Sequence, residues 1–460
     1  MKTPVGVSEV TVSTRADGPV LGAGAFPPGF LFGVATSAYQ IEGAHDSDGK
    51  RPSIWDVFCR RPGAIADAST GDVACDHYHR YREDVQHMAA LGLDAYRFSI
   101  SWPRVLGDGG AVNPSGLDFY DRLVDALLEQ QIRPFATLYH WDLPQSLQES
   151  GGWASSETVD RFAELAHVVG ARLGDRVRDW ITINEPEVAA FVGHAHGRHA
   201  PGLRDPQLAL RVAHQLLLAH RAASIAIRAD VPHARVGISL NLAPVHPASG
   251  SDVDVAAARR VDGYQNRWYL DAVSGRGYPS DMVTWYGALL DAGAVAEMRS
   301  YNGDLDFLGI NYYSRQVVRA APGELLGAQQ VQIEHATHTT MGWEVYPQGL
   351  SEILQRVVRD YRPRALYVTE NGASFDDQPR EGRVNDPART GYLATHFVEA
   401  ARAITAGVPL EGYFVWSLMD NFEWDHGYTK RFGIVYVDYA TQQRTDKGSA
   451  RWYKRFLAAR

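Results

Sequence analysis

The sequence predicts α/β architecture, a single (β/α)8 TIM barrel with its active site at the C-terminal ends of the strands. Two patterns support this prediction. Eight short apolar runs alternate with amphipathic stretches, and polar residues follow almost every run. A chain of 460 residues could hold two or three domains. Barrels of this kind are often this large as one domain, so one domain is expected.

The strands are predicted from short runs rich in β-branched and aromatic residues, each bounded by turn-forming residues. Such runs, buried on both faces, are typical of parallel sheets. In chain order the predicted strands cover residues 30–35, 95–100, 133–139, 180–183, 236–240, 307–310, 365–369 and 412–416.

The helices are predicted from stretches in which apolar residues recur every three or four positions. In the second of them, Leu117, Tyr120, Leu123 and Val124 fall on one face. The predicted helices cover residues 78–91, 114–131, 158–173, 206–228, 348–361, 387–406 and 446–459.

A doubly wound open sheet is the alternative for strands that alternate with helices. That fold usually places a Gly-rich phosphate loop after its first strand, whereas TSAYQIEG (36–43) follows here. The loops after the first, fifth and sixth predicted strands are long, as in barrels that build substrate pockets from these loops. The barrel is therefore favoured.

Composition and charge exclude several classes of protein. The chain is 45% hydrophobic and 22% charged, which is typical of globular proteins. A net charge of −9 argues against nucleic acid as a partner, and no apolar run of about 18 residues predicts a membrane span. Cys59 and Cys75 are too few for a disulfide framework, so two reduced, buried thiols are expected.

Residues 1–25 are predicted to form a flexible N-terminal extension, because this segment is polar, aperiodic and contains Gly and Ser. The segment has no apolar stretch of the signal-peptide kind, which predicts a cytoplasmic protein. The catalytic barrel is predicted to cover residues 26–460.

Two glutamates follow runs that are predicted to be buried strands. Glu185 lies in TINEP (182–186) and Glu370 lies in TENG (369–372). A carboxylate at the end of an apolar strand is costly to bury unless it is paired or used. If both strands belong to one barrel, the two glutamates meet at one edge and form the carboxylate pair that glycoside hydrolysis needs.

Polar and aromatic residues follow the other strands too. Amide, imidazole and carboxylate groups can bind vicinal hydroxyls, and indole rings can stack on the C–H face of a sugar. Arg97 lies in an otherwise apolar strand, so its guanidinium requires a carboxylate partner, and a strand-end glutamate is the candidate. The strand-end set is Gln40, His140, Trp141, Asn184, Asn311, Tyr312, Tyr313, Trp416, Glu423 and Trp424.

Seven segments in chain order resemble the β-glucosidases of glycoside hydrolase family 1. They are FLFGVATSAYQIEG (30–43), YRFSISWPR (96–104), LYHWDLP (138–144), TINEP (182–186), GINYYS (309–314), YVTENG (367–372) and VWSLMDNFEW (415–424). The resemblance covers about residues 26–457. It implies a retaining β-glucosidase that acts on small-molecule β-glycosides through a covalent glycosyl-enzyme, with no cofactor and no metal.

The resemblance also implies roles for single residues. Glu185 corresponds to the acid/base and Glu370 to the nucleophile, while Arg97 and Tyr313 correspond to residues that hydrogen-bond the nucleophile. The residues that it implies for substrate binding are Gln40, His140, Trp141, Asn184, Asn311, Tyr313, Trp343, Trp416, Glu423, Trp424 and Phe432.

Other activities of this family remain as alternatives. A broad β-galactosidase or β-fucosidase and a transglycosidase are compatible with the same motifs. A 6-phospho-β-glucosidase is less favoured, because Glu423 would repel a phosphate, although Lys430 and Arg431 lie nearby in sequence. A non-catalytic sugar-binding relative is disfavoured because both glutamates are present. The oligomeric state stays open.

Two further patterns carry less weight. His77 and His79, and the group His194, His196 and His199, have no clear further ligands nearby and are expected to pack or face water rather than bind a metal. Relatives commonly carry a Lys-Asp-Ser triplet near the C-terminal helix, where this chain has TDKGSA (445–450). This departure is expected to affect packing of that helix more than the site.

Overall fold

Eight parallel strands close into a barrel at the centre of the protein. The computed structural model describes residues 13–15, 18–20, 25–301 and 303–460. Each strand pairs with its neighbours in chain order, and the eighth pairs with the first, which confirms the predicted fold. The strands are β1 (Leu31–Ala35), β2 (Ala95–Ser99), β3 (Arg133–Tyr139), β4 (Asp179–Asn184), β5 (Arg235–Asn241), β6 (Phe307–Asn311), β7 (Leu366–Asn371) and β8 (Leu410–Trp416).

Helices surround the barrel. The predicted ones are confirmed to within two residues at each end, as His77–Leu91, Pro114–Glu129, Ser156–Leu173, Pro206–Asp230, Gln348–Tyr361, Pro387–Thr405 and Gly448–Leu457. The longest begins where its sequence predicts a helix start. Asp205 accepts hydrogen bonds from the backbone N–H groups of Gln207 and Leu208, both at 3.0 Å, and Pro206 occupies the first helical position.

The long connection between β5 and β6 is not a simple loop. It contains four helices, Asp252–Asp262, Trp268–Val273, Ser280–Tyr286 and Ala292–Arg299. They bury Trp268, Tyr269 and Met282, which explains why this segment folds although its helices are short. The sequence predicts a long connection here but not its helices, because these buried contacts lie far apart in sequence.

Short helices and small sheets lie outside the barrel, in the connections between its strands and helices. Short helices lie at Ala38–Ile41, Ile54–Phe58, Trp102–Val105 and Gln145–Glu149. A three-stranded sheet combines Val245–Pro247, Gln316–Ala320 and Ala328–Gln330, and antiparallel pairs join Pro379–Arg380 to Arg383–Val384 and Val435–Asp438 to Gln443–Asp446.

Aromatic side chains fill the inside of the barrel. The ring centroids of Phe135 and Phe414 lie 4.9 Å apart, and those of Phe307 and Tyr367 lie 5.2 Å apart. All four side chains are buried. The barrel interior is thus a packed core rather than a pore.

Within the predicted extension, the structure describes one antiparallel pair, Ser13–Arg15 with Gly18–Val20, and residue 25. The rest lies outside the described residues, so its flexibility stays a prediction. The ring of Phe26 lies 4.7 Å from that of Phe30, so the packed barrel domain already includes residue 26.

Both cysteines are buried and free, as predicted, and burial raises the pKa of Cys59 to about 12. Two buried thiols of this kind are unreactive. Among the described residues, no helix combines the length and the apolar character that crossing a membrane requires.

Candidate active site

A cavity of about 300 Å³ opens at the C-terminal ends of the strands. Its lining contains both glutamates and most of the other residues predicted for the site. Gln40, Arg97 and Asn184 lie behind this surface, fully buried, and contact residues that line it. The predicted residues in the lining are His140, Trp141, Glu185, Asn311, Tyr313, Trp343, Glu370, Trp416, Glu423, Trp424 and Phe432.

Glu370 is held by a cation and a phenol. Arg97 donates from Nη1 to Glu370 Oε1 at 2.7 Å, and the Tyr313 hydroxyl donates to Oε2 at 2.6 Å. The pKa of Glu370 lies above its ordinary value, because burial raises it by more than the Arg97 charge and the Tyr313 hydrogen bond lower it. Burial and Glu370 raise the pKa of Tyr313 well above its ordinary value, so the phenol keeps the proton that it donates.

Glu185 has a different environment. Its Oε1 accepts a hydrogen bond from Asn311 Nδ2 at 2.7 Å, and no cation pairs with its carboxylate within the part of the chain that the structure describes. Burial and the nearby Glu370 carboxylate raise the pKa of Glu185 well above its ordinary value. Glu370 is therefore the first of the two to ionise, and Glu185 keeps its proton to higher pH.

The two glutamates follow irregularities in the barrel. The pairing of β4 with β5 shifts by one residue between Ile181 and Asn184, and the pairing of β7 with β6 shifts between Val368 and Glu370. Register shifts of this kind redirect side chains at the rims of barrels. These shifts turn both carboxyl groups into the cavity, away from the regular alternation of side chains along the strands.

Three lining residues adopt a left-handed backbone. The φ angle is 78° at Trp141, 48° at Glu185 and 46° at Trp424. Such conformations cost about 1–2 kcal/mol for residues other than glycine, and they concentrate at functional sites. Gly372, in the segment that carries Glu370, is required for another reason, since a Cβ there would lie 1.6 Å from the carbonyl oxygen of Trp416.

Asn184 connects the surroundings of the two carboxylates. Its Oδ1 accepts from Arg97 Nη2 at 2.6 Å and from Asn311 Nδ2 at 3.0 Å, and its Nδ2 donates to His140 Nε2 at 3.0 Å. Burial lowers the pKa of His140 well below its ordinary value, so the ring is neutral. Because Nε2 accepts, the proton lies on Nδ1, which is buried and has no partner among the described residues.

Aromatic rings form much of the cavity wall. The ring centroids of Trp141 and Trp424 lie 4.5 Å apart, and the imidazole of His140 stacks on Trp416 at 5.7 Å. Flat, apolar faces beside hydrogen-bonding groups suit a sugar ring. On the other side lie Trp343 and Phe432, with centroids 6.0 Å apart.

Glu423 receives a weak hydrogen bond at 3.4 Å from Gln40 Nε2, which also donates to the backbone carbonyl of Phe422 at 2.8 Å. Burial, Asp425 and Glu370 raise the pKa of Glu423 to about 8. The acid is therefore mostly neutral at pH 7, and the predicted repulsion of a phosphate is weaker than a charged Glu423 would produce.

The cations near the site are already paired. Arg431 donates to Asp420 at 2.6 Å and Lys430 to the carbonyl oxygen of Thr340 at 2.6 Å, and neither lines the cavity. The two arginines that do line it form ion pairs with carboxylates, Arg198 with Asp425 and Arg315 with Glu344. This arrangement disfavours a phosphorylated sugar.

Sequence reasoning missed two groups of residues. Thr137 and Thr369 support the site from behind, since Thr137 Oγ1 accepts from Arg97 Nε at 3.2 Å and Thr369 Oγ1 donates to Asn311 Oδ1 at 2.7 Å. The sequence feature that could have identified them is a hydroxyl side chain inside an otherwise apolar strand. The outer wall is formed by residues without such a feature, including Val188, Asn241, Gln265, Arg315, Gln316 and Gln330.

Four of the five histidines considered as metal ligands, all but His196, contact carboxylates or backbone. His77 Nδ1 lies 2.8 Å from Asp84, His199 Nε2 lies 3.3 Å from Asp425, and His194 Nδ1 bonds the Ala189 carbonyl at 3.0 Å. No group of three or more metal-binding side chains occurs among the residues that the structure describes.

Known proteins resemble this chain over nearly its whole length. Residues 23–460 match the model of glycosyl hydrolase family 1. β-Glucosidase A of Thermotoga maritima is 48% identical over 431 residues, covering 93% of this chain and 96% of the relative. The 1,4-β-D-glucan glucohydrolase of Thermotoga neapolitana is 47% identical, covering 94% and 98%.

A solved structure agrees with these relatives. The β-glucosidase of Thermotoga maritima in complex with deoxynojirimycin superposes with a TM-score of 0.92 at 48% identity, covering 94% of this chain and 98% of that one. Family match, sequence relatives and structure therefore point the same way: the chain belongs to glycosyl hydrolase family 1.

Proposed function

We propose that Glu370 and Glu185 hydrolyse terminal, non-reducing β-D-glucosyl residues by double displacement. Family membership and the relatives named β-glucosidase make the chain a retaining β-glucosidase. The observation that carries the residue roles is the difference between the two carboxyl groups. Glu370 is paired with Arg97, whereas Glu185 accepts from a neutral amide and lies near a second carboxylate.

In the first step, a Glu370 oxygen attacks the anomeric carbon and the bond from this carbon to the leaving oxygen breaks. Glu185 gives its proton to that oxygen, so an alcohol departs. Arg97 and Tyr313 keep Glu370 ionised and aimed before the attack. The product of this step is a glycosyl ester of Glu370.

In the second step, Glu185 is a carboxylate and acts as the base. It takes a proton from water, whose oxygen bonds to the anomeric carbon while the ester bond to Glu370 breaks. Once Glu370 is esterified, its negative charge is gone, and one cause of the raised pKa of Glu185 disappears with it. Glu185 returns to its protonated form as glucose leaves.

The remaining side chains bind the sugar in this proposal. The Asn184 amide bonds the 2-hydroxyl in this proposal, an interaction that strengthens in the transition state. His140, Glu423 and Trp424 line the cavity, and in this proposal they bind the distal hydroxyls. Trp416 forms a stacking surface and Trp343 lies beside the leaving group. Gln40 orients Glu423.

The stereochemistry of the first product tests the mechanism. Proton NMR during hydrolysis of p-nitrophenyl β-D-glucoside should show β-glucose before the α anomer appears by mutarotation. If α-glucose appears first, water attacks directly and the double displacement is wrong.

A panel of p-nitrophenyl β-glycosides tests the substrate class. We expect kcat/KM for the glucoside to exceed that for the 6-phospho-glucoside, because Arg198 and Arg315 in the cavity lining are both paired with carboxylates. The galactoside and fucoside in the same panel distinguish the broad-specificity alternative. A higher rate on the 6-phospho-sugar would contradict the proposal.

The small-molecule glycoside is the proposed partner, with neither nucleic acid nor membrane. A cytoplasmic location belongs to the same proposal and is supported by two free, buried thiols.

A further inference from the structure

Six charged side chains form a network behind the active site, which we call the buried ion network. None of them lines the catalytic cavity. Five are at most 2% exposed and Arg431 is 19% exposed. The charges balance, with three cations, Arg389, Arg431 and Lys447, and three anions, Asp377, Asp386 and Asp420.

Lys447 lies at the centre of this network. Its ammonium donates to Asp377 Oδ2 at 2.6 Å and to Asp420 Oδ1 at 2.6 Å, and its side chain is fully buried. Asp377 belongs to the segment after β7, and Asp420 to the segment after β8. One side chain, just before the C-terminal helix, thus joins the loops that follow two neighbouring strands.

Asp420 joins the start to the end of the β8 loop, which we define as residues 417–433. Its Oδ2 accepts from Arg431 Nη1 at 2.6 Å, and its Oδ1 accepts from the backbone N–H of Gly433 at 3.1 Å. Between these anchor points lie Glu423 and Trp424, which line the cavity. The position of these two side chains therefore depends on Asp420.

The same network reaches the segment that carries Glu370. Arg389 donates from Nε to the carbonyl oxygen of Ala373 at 3.1 Å and from Nη2 to that of Arg431 at 2.6 Å. It also pairs with Asp377 at 2.7 Å. The β8 loop and the segment after Glu370 are thereby held against each other through buried, directional contacts.

Buried ion networks add little net stability, because desolvation of the charges offsets their attraction. Their directional contacts specify relative position instead. We infer that Lys447 is a positioning residue, which sets the β8 loop against Glu370 and so controls recognition of the distal part of the sugar. This inference rests on the proposed β-glucosidase function.

The test compares two substrates in one variant. The quantity measured is the ratio of kcat/KM for p-nitrophenyl β-D-glucoside to kcat/KM for the matching β-D-xyloside, which lacks the hydroxymethyl group. We expect Lys447→Met to lower this ratio by about tenfold or more. Lys454→Met is the matched control, since Lys454 is exposed on the same helix, and it should leave the ratio unchanged. A merely structural role would lower both rates equally, through the folded fraction, and that result would overturn the inference.

A second variant covers the case in which Lys447→Met does not fold. Asp420→Asn keeps the size and an acceptor but removes one charge of the network, and it should shift the same ratio in the same direction by a smaller factor. An unchanged ratio in folded Asp420→Asn, or failure of both variants to fold, would overturn the inference.

Amide hydrogen exchange measured by mass spectrometry separates this inference from the proposed function, because it needs no substrate. Peptides from residues 417–433 should exchange faster in a folded variant of the network than in the parent, while peptides from β2 and β3 should not change. Uniform exchange in both regions would contradict the positioning role even if the parent hydrolyses no glucoside.

Discussion

The two glutamates of the cavity are chemically identical side chains in opposite environments. Glu370 contacts a guanidinium at 2.7 Å and a phenol at 2.6 Å. Glu185 contacts one amide, at 2.7 Å, and lies within the field of Glu370. The groups around each carboxyl, rather than the residue type, therefore decide which of the two ionises first and which keeps its proton.

The contacts show how the ionisation of one glutamate depends on the other. A change at Glu370 changes the pKa of Glu185, because Glu370 is a cause of its elevation. Glu370, in contrast, has its own cation. Variants of the two residues and of their partners should therefore differ in activity, in pH dependence and in thermal stability.

Replacing Glu370 should remove the activity. Glu370→Gly lacks the group that attacks the anomeric carbon, so kcat for p-nitrophenyl β-D-glucoside should fall by more than about 10⁴-fold. Initial rates with the purified variant test this. Hydrolysis at the parent rate would mean that another group forms the ester.

Replacing Glu185 should cost less and should depend on the leaving group. Glu185→Gln cannot protonate the departing oxygen, so kcat/KM for cellobiose should fall by about 10²–10⁴-fold. For 2,4-dinitrophenyl β-D-glucoside, whose leaving group needs no proton, kcat/KM should fall far less. Equal losses on both substrates would contradict the acid role.

Removing the partners of Glu370 should move the acidic limb of the pH profile. Without the Arg97 cation, the ionised form of Glu370 is less favourable and its pKa rises. In Arg97→Met the acidic limb of kcat/KM should therefore move to higher pH, with a loss of about 10²-fold at the optimum. Tyr313→Phe should shift the limb in the same direction by less. A limb that stays in place in both variants would show that these contacts do not set the ionisation of Glu370.

The same substitution at the two glutamates should change thermal stability in opposite directions. Glu370→Gln leaves the buried Arg97 without its counter-charge, so Tm should fall at pH 7. Glu185→Gln removes a carboxyl group whose pKa is raised in the folded protein from an ordinary value of 4.5. Above this pH the carboxyl group ionises more readily in the unfolded chain than in the folded protein, so it destabilises the folded state. Its removal should therefore raise Tm by about 1–3 °C at pH 7.

The pH dependence provides the control. At pH 4 Glu185 is mostly protonated in the folded and unfolded states alike, so Glu185→Gln should leave Tm nearly unchanged there. Scanning calorimetry at both pH values measures the difference. A stabilisation of the same size at pH 4 would show that its cause is not the titration of Glu185.

The strands and outer helices could be predicted because their signals are local. Alternating apolar runs and helical periodicity depend only on nearby residues, and every predicted bound lies within two residues of the observed one. Arg97 was informative for a similar reason, since a guanidinium inside a strand requires a carboxylate, and Glu370 is that partner.

What could not be predicted depends on contacts between distant residues. The helices between β5 and β6 form around buried side chains such as Trp268, and Gln265 of the same segment lines the cavity. The pKa of Glu423 depends on burial that sequence alone does not reveal. Lys447 was expected to affect packing of the C-terminal helix, yet it pairs with Asp377 and Asp420, beside loops of the site.

Trapping of the covalent intermediate tests the central claim most directly. A 2-deoxy-2-fluoro-β-D-glucosyl fluoride should react with the parent, because its leaving group needs no acid and the fluorine slows the second step. Intact mass followed by peptide mapping should locate one sugar on the peptide with Glu370, and on the Glu370 side chain within it. A label on Glu185, or inactivation without a covalent sugar, would contradict the assignment of the charged, Arg97-paired glutamate as the nucleophile.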